Sequence, residues 1–142
     1  MELDLNGVFK VSREFSKIMM KNNYGRIINF SSMYGLVGNM ALPSSAYHAA
    51  KGGVVNLTRA LAAEWAPKGI TVNCICPGYF ETELTVDTLK TDSFSEYMKA
   101  TVPLGRYGNK GELDSAAIFL AVEASSYVTG VIIPVDGGYT CV

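Results

Sequence analysis

Three short apolar runs, Arg26–Ser31, Ile70–Cys76 and a third within Tyr127–Asp136, alternate along the chain with stretches of helical spacing. That alternation constrains the fold more than any other feature. Runs apolar on both faces belong to sheets covered on both sides, and strands separated by helices pair in parallel. Over residues 3–21, Leu5, Val8, Phe9, Phe15, Ile18 and Met19 recur at helical intervals until Asn22-Asn23-Tyr24-Gly25 stops them. Ser45–Ala66 is the clearest helix and ends at Pro67-Lys68-Gly69. Asn109-Lys110-Gly111-Glu112 has the form of a capping box, and it opens a third helix with Leu113, Ala116, Ala117 and Leu120 on one side. The expectation is one α/β domain over 1–142, a three-stranded parallel sheet with flanking helices. Arg26–Ser31 reads as a central strand, so further strands are expected to precede residue 1.

The long helix also carries the chemistry. At 100° per residue, Tyr47, Lys51, Val54, Leu61 and Trp65 fall in one stripe, polar at its N-terminal end and apolar beyond. Such a face leaves the core and enters a cleft. Tyr47 and Lys51 are four residues apart, which places them on one face. An ammonium beside a phenol favours the phenolate, so Lys51 is expected to bring Tyr47 below the ordinary tyrosine value of about 10. A tyrosine tuned this way can exchange a proton with an alcohol near neutral pH. His48 is turned about 100° from Tyr47 and is expected to face solvent. Ser31, Ser44 and Ser45 read as loop and cap hydroxyls, and Cys74 and Cys76 as small hydrophobes packed in a strand. Residues 79–108 lack sustained periodicity apart from a short helix around Phe94–Ala100, as in a lid or binding segment.

Composition removes several classes of function. Twelve basic and 13 acidic residues are scattered over the 142 positions, for a net charge of -1, so no nucleic-acid partner is expected. At 49% hydrophobic the chain can fold around a core, yet its apolar runs stop short of a membrane span. The N-terminus, Met-Glu-Leu-Asp-Leu-Asn, has no secretory character. Three cysteines without a CxxC, and a single histidine, argue against a structural metal or a disulfide frame. A reducing cytoplasm is the expected location.

Several motifs then run in a familiar order. They are Asn6-Gly7-Val8-Phe9 within an Asn-x-x-Gly-like helix, Gly25-Arg26-Ile27-Ile28-Asn29-Phe30-Ser31-Ser32, Tyr47-x-x-x-Lys51-Gly52-Gly53, and Asn73-x-x-x-Pro77-Gly78 with Thr82 shortly after. Pro103-Leu104-Gly105-Arg106 and Val135-Asp136-Gly137-Gly138 complete the set. Together they resemble the C-terminal half of a short-chain dehydrogenase/reductase, with gluconate 5-dehydrogenase-like members the most similar. The resemblance implies the C-terminal part of a Rossmann-like, doubly wound sheet, without the N-terminal dinucleotide-binding half.

It also implies a catalytic tetrad. Tyr47 would exchange the proton, Lys51 would support it and bind the nicotinamide ribose, Ser32 would hold the substrate oxygen, and Asn6 would hold a water. Pro77, Gly78, Phe80 and Thr82 would line the nicotinamide pocket beside Tyr47 and Lys51, with 79–108 as the lid. The cofactor would be NAD or NADP. The substrate would be a small alcohol or carbonyl compound such as a sugar acid or polyol, and the assembly a dimer or tetramer. One feature departs from the family: no Gly-rich phosphate loop occurs in these residues. The alternative is therefore a catalytically silent fragment that acts by pairing with itself or with a full-length relative.

Overall fold

The computed structural model describes residues 1–39, 43–82, 86–89 and 91–142. Residues 40–42 of the loop before the long helix, and 83–85 and 90 of the expected lid, lie outside them. A π-helical turn over Glu2–Gly7 runs directly into α1 (Val8–Asn22), which ends where Asn23 takes the left-handed conformation at φ 48°. There follow β1 (Gly25–Phe30), α2 (Ser45–Trp65), β2 (Ile70–Pro77), α3 (Val86–Leu89), α4 (Asp92–Thr101), α5 (Asp114–Ala121) and β3 (Ile132–Val135). All pairing is parallel, in the order β1-β2-β3, with Gly25 opposite Ile70 and Cys74 opposite Ile132.

β2 forms the centre of the core. Its residues Ile70, Val72, Cys74 and Cys76 pack on Val54, Val55, Leu61, Ala62 and Trp65 of α2, with Leu5, Val8, Met19 and Met20 beside them. The alternate residues Thr71, Asn73 and Ile75 are equally buried, and α5 packs across β1 and β2. The expected stripe of α2 is thus observed. Gly69, which turns the chain from α2 into β2 at φ 70°, admits no side chain: a Cβ would lie 2.1 Å from the Asn23 carbonyl oxygen.

Among the described residues β1 pairs with β2 alone. Two expectations change. The apolar residues of α1 do not all face the core. Ser12 and Ser16 are its buried positions, whereas Val11, Phe15 and Ile18 stand about 60% exposed. The capping box closes a turn rather than a helix. Glu112 accepts from the Asn109 N–H at 2.6 Å, but the same carboxylate takes two Arg106 nitrogens at 2.8 Å, and α5 begins only at Asp114. Arg106, aided by Asn109, holds the Glu112 carboxyl down to about 2.

Candidate active site

The end of β1 and the first turns of α2 supply the reactive groups. Ser32 lies in extended backbone, and its Oγ accepts from the Tyr34 N–H at 3.2 Å, capping a 3-10 turn over Met33–Gly35. Ser31 donates to the Lys51 carbonyl at 2.7 Å, which fastens the end of β1 to α2. Tyr47 is 39% exposed at the start of the α2 stripe. Lys51 Nζ sits 5.6 Å from the Tyr47 ring centroid and donates to the Phe30 carbonyl at 3.4 Å.

A cleft of about 330 Å³ brings Ser32 and Tyr47 together with Pro77, Gly78, Phe80 and Thr82. Six of the expected site residues therefore meet at one surface, with Lys51 beside Tyr47. The side chains lining the cleft are uncharged.

Asn6 is placed elsewhere. Its amide donates to Glu2 Oε2 at 2.6 Å at an exposed position. Asp4 is the residue that reaches the site, with Oδ1 3.4 Å from Lys51 Nζ. Residues two apart on a helical turn point to nearly opposite sides, so only one of this pair can face α2. The sequence held the signal: an Asn-x-x-Gly spacing counted back from Gly7 ends on Asp4, not on Asn6.

His48 is also not turned to solvent. Its ring stacks on Tyr34 with centroids 4.8 Å apart, and Nδ1 donates to the Ser44 carbonyl at 2.8 Å. That bond fixes the proton on Nδ1.

Tyr34 belongs to a cluster that periodicity could not reveal, because its members come from four separate segments. The hydroxyls of Tyr34 and Tyr79 are hydrogen-bonded, and the Tyr79 ring meets the edges of Tyr34, Phe94, Tyr97 and Tyr139 at centroid distances of 5.2–6.3 Å. Tyr79 lines the cleft as well. Phe94 and Tyr97 lie on α4, so the cluster fastens α4 to the loop after Ser32.

Burial pushes the phenols of Tyr34, Tyr79 and Tyr139 up. Burial also acts upward on Tyr97, but hydrogen bonds with Tyr79 and Tyr139 outweigh it and leave this phenol lowered. A phenol raised in the folded state gives stability that is fully present below the ordinary value of about 10 and is lost as pH rises beyond it. A spectrophotometric titration should therefore ionise fewer tyrosines in the folded chain than in urea just above that pH. Superposable folded and unfolded curves would remove the burial argument.

The chain after α4 is held by backbone. Leu104 N–H donates to the Gly137 carbonyl at 3.1 Å, and Phe80 and Gly108 form a parallel bridge that brings the ends of 80–108 together. Asp136 holds the turn that follows it. Its carboxylate accepts from the Gly138 N–H at 3.0 Å, the Thr140 N–H at 2.9 Å and the Thr140 hydroxyl at 2.6 Å.

Among the described residues, no helix is long and apolar enough to cross a membrane. A family profile described as enoyl-(acyl carrier protein) reductase matches residues 1–140. Galactitol 2-dehydrogenase (L-tagatose-forming) of Cereibacter sphaeroides is 45% identical over 140 residues, 99% of this chain and 55% of that protein. Gluconate 5-dehydrogenase of Gluconobacter oxydans is 38% identical over 141 residues, 99% of this chain and 54% of that protein. A crystal structure of a gluconate 5-dehydrogenase from Burkholderia cenocepacia, in complex with NADP and tartrate, superposes with a TM-score of 0.93 at 39% identity, covering 100% of this chain and 55% of that one. The chain thus spans about 55% of the length of these relatives. Because the profile match runs over nearly every residue and the parallel sheet superposes on dehydrogenases of known structure, the chain belongs to the short-chain dehydrogenase/reductase family.

Proposed function

We propose that the chain carries the reaction-centre part of an NAD(P)-dependent oxidoreductase that interconverts an alcohol and a carbonyl. The observation that supports this most directly is Ser32 and Tyr47 on one cleft, with the Lys51 ammonium 5.6 Å from the Tyr47 ring. In this reading the Tyr47 hydroxyl exchanges a proton with the substrate oxygen while the Ser32 hydroxyl hydrogen-bonds the same atom. The positive charge of Lys51 stabilises the tyrosine oxygen as its proton leaves. Pro77, Gly78, Phe80 and Thr82 hold the nicotinamide, which supplies or accepts the hydride when bound. The uncharged lining suits that neutral end of a dinucleotide and not its phosphates. The named relatives act on galactitol and gluconate, so the substrate class is a polyol or sugar acid.

The test is calorimetric titration of NAD and NADP separately into the purified chain, followed by assays of galactitol and gluconate oxidation. Saturable binding of either nucleotide is the expected result. A folded chain that binds neither would overturn the reading for this polypeptide.

The outer side of β1 favours a second reading, in which the chain works through association. A cavity of about 520 Å³ lies there, lined by Val8, Val11, Phe15, Met19 and Ile27 among others. An edge strand next to exposed apolar side chains is a template for pairing with another chain. Sedimentation of the purified chain as a monomer at every concentration would remove self-association.

A further inference from the structure

We infer that the chain has a second binding site, for a small oxyanion such as a carboxylate or phosphate, at the end of the sheet opposite the Ser32–Tyr47 cleft. A cavity of about 580 Å³ lies there, lined by Tyr24, Arg26, Thr71, Glu123, Ser126 and Tyr127 among others. Six residue steps along β2 separate Thr71 in this cavity from Pro77 in the cleft, roughly 20 Å of strand. The site is therefore independent of the oxidoreductase reading.

Two buried atoms point to a ligand. Among the described residues, three buried side-chain nitrogen or oxygen atoms have no hydrogen-bond partner, and two of them, Arg26 Nε and Thr71 Oγ1, belong to this wall. Arg26 and Thr71 are direct register partners on β1 and β2, and Thr71 is 7% exposed. A buried donor without a partner is costly, so folded chains keep few of them. Two on neighbouring strands in one cavity call for a ligand that supplies the acceptors.

The charge on this wall selects that ligand. Arg26 joins none of the ion pairs among the described residues, and Nη1 donates to the Gly25 carbonyl at 3.0 Å. The guanidinium lies over the Tyr24 ring, 4.7 Å from its centroid. Stacking engages the face of the guanidinium and leaves its edge for hydrogen bonds in the plane. Nε and Nη2 form such an edge, spaced for two oxygens of one carboxylate or phosphate, and the Thr71 hydroxyl adds a third donor. The Tyr24 ring, 46% exposed, is the movable wall: exposed side chains change rotamer within nanoseconds, which opens Nε to the ligand. Glu123 also lines the cavity, but it is exposed, so solvent screens its charge.

The test is titration of the full chain, labelled with nitrogen-15, with inorganic phosphate and with citrate, each against sodium chloride of equal ionic strength. The signals to follow are the Arg26 Nε–H, assigned by Arg26→Lys, and the backbone amide of residue 71. Both should shift saturably with phosphate or citrate and not with chloride, and the tighter of the two identifies the oxyanion as phosphate or carboxylate. Arg26→Lys should weaken binding about tenfold or more, the contribution of one charge-assisted bond, and Glu123→Gln should strengthen it. Thr71→Val should weaken binding and raise the melting temperature, because it deletes a buried hydroxyl that the folded chain leaves unbonded. A merely structural hydroxyl would instead lower the melting temperature and leave the affinity alone. Shifts that do not saturate, that chloride reproduces, or that keep the parent affinity in both Arg26→Lys and Thr71→Val would overturn the proposal. Should Arg26→Lys fail to fold, Thr71→Val, an exchange of similar shape, decides alone.

Discussion

Tyr47→Phe is expected to reduce alcohol–carbonyl interconversion by roughly 10²- to 10⁴-fold, the usual contribution of a positioned proton donor. The fold should be unaffected. The substitution removes one oxygen from a ring that is 39% exposed, and the structure gives that oxygen no hydrogen bond among the described residues. The buried face of α2 begins with Ala50, three residues later, and continues at Val54 and Val55. A surface change of this kind moves stability by no more than about 0.5 kcal/mol. The two measurements to set side by side are turnover with NAD or NADP in an active preparation and the melting temperature. Activity within tenfold of the parent would take the proton from Tyr47 and with it the proposed mechanism. Loss of activity together with a large fall in melting temperature would show that the hydroxyl serves the fold instead. Ser32→Ala provides a contrast, because the Ser32 Oγ also caps the turn over Met33–Gly35, so its removal should cost stability as well as rate.

The sequence made the regular parts of this molecule readable, because regular structure leaves a period. The α2 stripe from Val54 to Trp65 and the run Ile70–Cys76 are buried as their spacing requires. The site residues on those elements could be located as well: Ser32 at the end of one strand, Pro77-Gly78 at the end of the next, and Tyr47 on the helix between them. Periodicity could not say which side of α1 faces inward. Serine at positions 12 and 16 allows close approach to the sheet and leaves bulkier residues outside, the reverse of what hydrophobicity alone suggests. Nor could periodicity separate Asp4 from Asn6, which only the spacing to Gly7 distinguishes in the sequence. The tyrosine cluster was out of reach for a different reason. Tyr34, Tyr79, Tyr97 and Tyr139 lie on unrelated segments, and only the parallel sheet order brings the ends of those segments together.

Asn73→Ala is expected to cost about 2–4 kcal/mol. Asn73 is 1% exposed at the middle of β2. Its Nδ2 donates to the Val128 carbonyl at 2.9 Å, and its Oδ1 accepts from the Val131 N–H at 3.1 Å. One side chain therefore satisfies two backbone groups of the segment that leads into β3, where Gly130 N–H also bonds the Val72 carbonyl at 2.8 Å. Alanine leaves both groups without a partner, and a buried donor or acceptor without one costs about 1–3 kcal/mol. For a chain of this size the melting temperature should fall by roughly 6–16 °C. The consequence for the site is indirect. Asn73 lies four residues before Pro77, yet it is not among the residues that line the cleft, so its contribution is architectural. Below its lowered transition the variant should still bind whatever the parent binds. Asn73→Asp separates the two bonds: it keeps an acceptor for Val131 N–H, offers no donor to the Val128 carbonyl, and buries a charge, so it should be at least as destabilising as alanine. A melting temperature for Asn73→Ala within about 2 °C of the parent would mean that water replaces both bonds at little cost. Docking of β3 would then rest on its ladder with β2 and on apolar packing instead.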